Sequence, residues 1–260
     1  MNFSLVLLAV SAGLFLGILI FFEAGRRWGK RQILRDSEGA HTGTSAIDGA
    51  VLALLGLLLA FTFSGAASRF DDRRQLIINE TNAIGTAYYR LSLLSVDSSQ
   101  LVREKFRRYV DSRLEFYRRI QDSEVALREL ANQKKLQNEI WNESLEASLV
   151  PGAHPDAARL LLPALNAMFD IQATRTRTLR IHPPLVIYFL LFVVSLLSAA
   201  LAGYGMAKAK KRNWFHTIGF AVILAVSVYV IIDLEFPRHG LIRLDEFDRA
   251  LSDLRADINP

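Results

Sequence analysis

The sequence predicts an all-α, polytopic membrane protein: four transmembrane helices, with a helical extramembrane domain inserted between helices two and three. Three observations carry this. Four apolar runs, Asn2–Phe22, Gly49–Ser68, Pro184–Gly203 and Trp214–Ile232, contain no Asp, Glu, Lys or Arg. Each is 19–21 residues long, and about 20 apolar residues cross a bilayer as a helix. A soluble helix has no reason to be apolar on every face for that length. Between the second and third runs lies a polar block, 69–183, whose apolar residues recur at helical spacing. No useful length of strand-like alternation appears, and no internal repeat.

The elements follow in order. The first span ends at Phe22-Glu23 and passes into the basic segment Glu23–Arg35. Nothing basic precedes Phe3, so an uncleaved membrane helix is expected rather than a secretory signal. Gly39-Ala40-His41-Thr42-Gly43-Thr44-Ser45 reads as a turn, and the second span starts at Asp48. No proline interrupts 68–95, where Leu76, Ile77, Ile84, Ala87, Tyr88, Leu91 and Leu94 keep helical spacing. One long helix is therefore expected through Ser95. Val96-Asp97-Ser98-Ser99 reads as a turn capping a further helix with Leu101, Val102, Phe106, Tyr109, Val110, Leu114, Tyr117 and Ile120 on its apolar face. A more polar helix is expected over Glu124–Leu149, and Pro151-Gly152 and Pro155 break the chain. A helix over Asp156–Arg180 returns it to the membrane, where Pro183-Pro184 suits a helix start. After the fourth span, Leu241, Ile242, Leu244, Phe247, Leu251 and Leu254 suggest an amphipathic tail helix, on the membrane or against the middle block. The expected division is 1–68, 69–183, 184–232 and a tail, 233–260.

Composition narrows function. The chain is 51% hydrophobic with a net charge of +5. The middle block holds 18 Lys/Arg against 15 Asp/Glu, interspersed, which is a solvated helical surface rather than a nucleic-acid footprint. There is no cysteine, so disulfides and thiolate metal sites are excluded. No phosphate-binding glycine loop, His-Glu-x-x-His pair or nucleophile elbow is present, and His41, His154, His182, His216 and His239 lie far apart. The reading is a protein that is not an enzyme, with no cofactor, no metal and no nucleic-acid partner; its partners are the lipid bilayer and further copies of itself.

Two places stand out. In the second span, Gly56, Ala60, Ser64 and Ser68 form a stripe of small residues at i, i+4 spacing, which lets membrane helices approach closely. Beside it runs Ala53, Leu57 and Phe61. The pair of stripes reads either as packing within a bundle or as the apolar constriction of an oligomeric pore, gating by dewetting. The second place is the set of boundary charges Arg69, Arg73, Asp233 and Arg238. Asp233 either marks the interface or lies in hydrocarbon and needs a partner, with Arg69, Arg73 and Arg238 as candidates.

The segments Gly49–Ser64, Ser68-Arg69-Phe70-Asp71-Asp72-Arg73-Arg74, Asn79–Tyr88 and Asp233-Leu234-Glu235-Phe236-Pro237-Arg238-His239-Gly240-Leu241-Ile242 resemble the bacterial bestrophin-like membrane family. More remotely, Leu57-Leu58-Leu59-Ala60-Phe61 followed by Ser68-Arg69-Phe70 is similar to the pore helix of the bestrophins, pentameric anion channels. The resemblance implies a multi-pass protein of the bacterial inner membrane and a homo-oligomeric ion channel, with Ala53, Leu57 and Phe61 as its neck. A non-conducting scaffold or sensor, binding a partner through the helical block, is the alternative.

Orientation follows from charge. Arg26, Arg27, Lys30, Arg31, Arg35, Lys208, Lys210, Lys211 and Arg212 share one side. Arg69, Arg73, Arg74, Arg175, Arg177, Arg180, Arg238, Arg243 and Arg249 share the other. The first group sits in shorter loops, and short basic loops favour the cytoplasm. Charge density thus places both termini and 69–183 outside, whereas the bestrophin resemblance implies the opposite. With the variants Ser99→Cys and Ala209→Cys on intact cells, a membrane-impermeant thiol reagent should label the first and spare the second. The reverse pattern would establish the bestrophin orientation.

Overall fold

The computed structural model describes residues 3–35, 44–209, 213–245 and 247–258. The turn at 39–43 with His41, and the basic residues Lys210, Lys211 and Arg212, lie outside the described residues. Every regular element among the described residues is helical: α1 (Phe3–Arg35), α2 (Thr44–Arg90), α3 (Val96–Arg118), α4 (Ser123–Ala147), α5 (Ala157–Thr178), α6 (Leu185–Gly205), α7 (Trp214–Glu235) and α8 (Arg249–Asp257). Four of them, α1, α2, α6 and α7, are long and apolar enough to cross a membrane. The chain divides into two compact units: Met1–Phe70 with His182–Arg243, and Asp71–Ile181 with Leu244–Pro260.

The first unit is organised by glycine. A Cβ at Gly25 would stand 1.9 Å from the Ala200 carbonyl oxygen, and one at Gly203 would stand 2.0 Å from that of Phe22. At Gly29 it would meet Ala207 and Tyr204 at 2.7 and 2.9 Å. The small residues that bring two backbones together inside the chain are therefore Gly25 and Gly29 of α1 and Gly203 of α6. Leu14, Ile18, Phe22, Leu191, Ala221, Leu224 and Val228 complete this core. Two hydroxyls bond back along their own helix: Ser195 donates to Leu191 O (2.7 Å) and Thr62 to Leu58 O (2.8 Å).

The second unit has a core of Ile84, Tyr88, Leu91, Phe106, Tyr109, Leu136, Ile140, Leu161, Leu165 and Met168. Leu251 and Ile258 join it, so the end of the chain packs on the middle block, and the Tyr88 hydroxyl donates to Ile258 O (3.2 Å). A polar network threads this core. Glu80 is wholly buried and accepts from Arg113 Nε (2.6 Å) and Arg175 Nη1 (2.5 Å). Arg113 also donates to Gln133 Oε1 (2.9 Å) and the Tyr117 hydroxyl (2.6 Å). Arg175 lies 3.7 Å over the Tyr117 ring and donates to Asp248 Oδ1 (2.6 Å). Side chains from α2, α3, α4 and α5 and from the turn before α8 thus meet in one place.

Several boundaries differ from the sequence reading. α2 begins at Thr44, so Thr44 and Ser45 are helical rather than part of the turn before Asp48. The long helix ends as an α-helix at Arg90 and tightens into a 3-10 turn, Leu91–Leu93, instead of running to Ser95. Val96 to Ser99 are the first turn of α3 rather than a turn before it, because Ser95 takes the extended N-cap conformation and accepts from Ser99 N (2.8 Å). The tail is helical only from Arg249: residues 236–245 and 247–248 are turns, bends and irregular chain, and Asp233 gathers the backbone of Leu241 and Ile242. At Pro151-Gly152 the break turns on Gly152, whose φ of +94° suits glycine.

Burial pushes the Glu80 carboxyl up, but the Arg113 and Arg175 guanidiniums outweigh burial and hold it below its ordinary value of 4.5. A lowered folded value contributes stability above 4.5 that is lost as pH falls through that lower value. Glu80→Gln removes the counter-charge of two buried guanidiniums and should cost about 3–5 kcal/mol at neutral pH. Unfolding followed by circular dichroism should show the gap between parent and variant full at pH 7 and narrowing below pH 4.5.

Candidate functional site

Within the membrane unit, α2 is the least covered helix. Only 6% of its most apolar window is buried, against 44% for α7. Leu55 and Ala66 are buried in the cluster of Leu191, Leu224 and Val228, with Leu58 and Leu59 half-buried against it. At about 100° per residue, Leu55, Leu59, Thr62 and Ala66 share one side, and Ala53, Leu57, Ala60, Ser64 and Ser68 fall opposite, with Phe61 adjoining. That opposite side is bare. Leu57 is 52% exposed and Phe61 69%, and Ala53, Gly56, Ala60, Ser64 and Ser68 are exposed as well. A Cβ added at Gly56 would meet nothing within 4 Å. Both stripes therefore face away from the helices of their own chain.

Just past the apolar run, Arg69 Nε donates to both oxygens of Glu235, at 3.1 and 2.9 Å. Glu235 is fully buried, and His182 Nδ1 stands 3.3 Å from its Oε1. The His182 ring stacks on Phe236 at 4.5 Å. This joins the end of the α2 apolar run, the end of α7 and the residue before Pro183 in one ion-paired cluster. Arg73 belongs to the other unit and donates to Ile181 O (3.0 Å). Arg238 is buried. Nearby, burial pushes the His239 imidazole below its usual range, and the charges of Arg238, Arg243 and His182 push the same way.

Asp233 is wholly buried, and its partners are backbone amides. It accepts from Leu241 N (2.9 and 3.1 Å) and Ile242 N (2.8 Å), where the sequence reading looked to Arg69, Arg73 or Arg238. A Cβ at Gly240 would stand 1.9 Å from Asp233 Oδ1, so glycine is required there. Residues 233–242, part of the resemblance, thus form a structural turn around one carboxylate. The sequence reading missed Glu235 as the Arg69 partner, although Glu235 lies two residues beyond Asp233 and ends the same helix. It also missed Glu80, Arg113 and Arg175. Their one sequence signal is a charge falling on the apolar face of its own helix, as Arg113 does between Val110 and Leu114. Among the described residues no group of His, Asp and Glu is arranged to hold a metal.

The sequence matches the bestrophin-like domain over residues 12–246, and the chain belongs to that family. Its fold is similar to that of a bacterial bestrophin homologue from Klebsiella pneumoniae. One crystallised point variant of that homologue matches with a TM-score of 0.73 at 14% identity, over 94% of this chain and 97% of that one. A second variant matches with a TM-score of 0.67 at 16% identity, over 92% and 98%. A structure described as a membrane protein variant matches with a TM-score of 0.68 at 16% identity, over 94% and 97%. No curated protein matches the sequence.

Gly240→Ala should crowd the Asp233 carboxylate and loosen the turn after α7, at about 1–3 kcal/mol. Gly56→Ala, which meets nothing within the chain, should leave the protomer fold as it is. Thermal unfolding in detergent compares the two: a lower midpoint is expected for the first variant only.

Proposed function

We propose that the chain is one protomer of an oligomeric ion channel in which α2 of each copy lines a shared axis. Leu57 and Phe61 form its apolar constriction, with Ala53 one turn away. The observation that supports this reading is the exposure of that stripe on the side of α2 opposite its packing side. Large apolar side chains cover the outer faces of the other spans, such as Leu5, Leu8, Leu16 and Ile20 on α1 and Phe215 and Ile223 on α7. The bare side of α2 sets the small residues Ala53, Gly56, Ala60, Ser64 and Ser68 among the exposed Leu54, Leu57, Phe61 and Phe63. The small residues let another helix approach closely.

A ring of leucine and phenylalanine too narrow to stay wet closes a pore without a moving plug. A hydroxyl-bearing face, Ser64 and Ser68, follows the constriction, and the Arg69–Glu235 pair stands next along the helix. The α2 helix, at about 1.5 Å per residue, is about 70 Å long. That exceeds a hydrocarbon core of about 30 Å, and the charged run from Arg69 to Arg74 is where α2 leaves it. The second unit, with its solvated charges and buried ion network, is then the water-facing domain. By likeness to the bestrophins the oligomer is a pentamer that passes anions across a bacterial inner membrane. The reading requires neither a cofactor nor catalysis.

The test is the double variant Leu57→Ala with Phe61→Ala, reconstituted in liposomes. Both side chains are exposed within the protomer, so its own fold should hold. Shortening them in every copy opens the constriction, and anion leak should rise several-fold over the parent, with sizing showing an oligomer for both. A folded oligomer with unchanged flux would reject the pore role of α2 and favour a non-conducting scaffold.

A further inference from the structure

A cavity of about 170 Å³ lies in the membrane unit at the end of the spans opposite the Arg69–Glu235 cluster. Leu19, Phe22, Glu23 and Arg26 of α1 line it, with Met206, Ala209, Asn213, Trp214 and Thr217. An adjoining groove of about 440 Å³ shares Leu19 and Glu23 and continues over Ile20, Ala24 and Arg27. Neither belongs to the proposed pore stripe.

Its chemistry is divided. One end is aliphatic and aromatic: Leu19, Phe22 and Met206. The other holds Arg26, 5% exposed, whose Nη2 donates to Ala209 O (3.1 Å) and so fixes the guanidinium at the cavity wall. Glu23 also lines the cavity, but its carboxylate pairs with Arg27 at 2.9 Å. Further basic residues lie close by in sequence: Lys30 and Arg31 after Arg26, and Lys208 before Ala209.

Aromatic residues mark the depth. Trp28 is exposed beside Tyr204, ring centroids 6.3 Å apart, and Trp214 is exposed at the start of α7. Tryptophan and tyrosine gather at the headgroup level of a bilayer. A buried guanidinium at headgroup depth, above an apolar floor and between spanning helices, suits one occupant: a molecule with an anionic head and a hydrocarbon chain.

We propose that this cavity binds an anionic phospholipid. The phosphate sits against Arg26, and the acyl chain runs over Leu19, Phe22 and Met206 into the adjoining groove. The site is independent of ion conduction.

The purified full chain in mild detergent is offered phosphatidylglycerol, phosphatidylcholine or soluble glycerol phosphate. Bound lipid is counted by native mass spectrometry, and the unfolding midpoint is followed in parallel. Phosphatidylglycerol should be retained and raise the midpoint; the other two should not. Arg26→Gln should lower phosphatidylglycerol retention about fivefold, the usual weight of one basic residue near an anionic surface. Thr217→Trp fills the cavity, leaves every basic residue in place, and should lower retention at least as much. It decides the matter should Arg26→Gln fail to fold. Equal retention of the two lipids, an equal midpoint shift with glycerol phosphate, or undiminished retention in Thr217→Trp would each overturn the proposal.

Discussion

Glu80 is the charge around which the second unit is assembled. One buried carboxylate takes a guanidinium from α3 and another from α5, and each guanidinium reaches onward, to Gln133 on α4 and to Asp248 before α8. Two positive and two negative groups balance, and Tyr117 lies under Arg175. Burying ions of this kind gives little net stability, because desolvation offsets most of the attraction. Its effect is on geometry. Apolar contacts among Leu, Ile and Phe tolerate sliding by a fraction of a turn, whereas short charge-assisted hydrogen bonds from two guanidiniums to one carboxylate do not. The register of four helices and the chain end is therefore fixed at one point.

The membrane unit solves a different problem. Lipid offers no hydrophobic drive between helices, so contact depends on close backbone approach and on polar groups satisfied within the chain. Gly25, Gly29 and Gly203 supply the approach between α1 and α6. Asp233 supplies the second device, since a buried carboxylate accepting backbone amides turns the chain after α7 without a counter-ion. These contacts account for α1, α6 and α7 and leave most of the membrane-length part of α2 uncovered. A helix so exposed, with alanine, glycine and serine among its bare residues, is the face that the proposed channel would share with further copies of the chain.

Much of this was legible in the sequence. Length and hydropathy alone determined the four spans, because a bilayer admits a backbone only as a fully hydrogen-bonded helix or a closed barrel. Spacing of apolar residues determined that α2 continues past Arg69 and that the middle block is helical, since period 3.6 is a local property. The segments Gly49–Ser64, Ser68–Arg74, Asn79–Tyr88 and Asp233–Ile242 carried the family. The bestrophin-like match over residues 12–246 agrees with that reading.

What the sequence could not decide was partnership. Asp233 and Glu235 are two residues apart at the end of one helix, and nothing local says that the first takes backbone amides while the second takes Arg69. Nor could spacing separate two small-residue stripes of the same form: Gly25/Gly29 is consumed inside the chain, while Gly56/Ala60 is left bare. Helix ends at Arg90 and Arg249 likewise depend on where distant segments pack. Periodicity records which residues share a face. Only the tertiary structure decides what that face meets, because the partners lie far away along the chain and are chosen by close approach and charge.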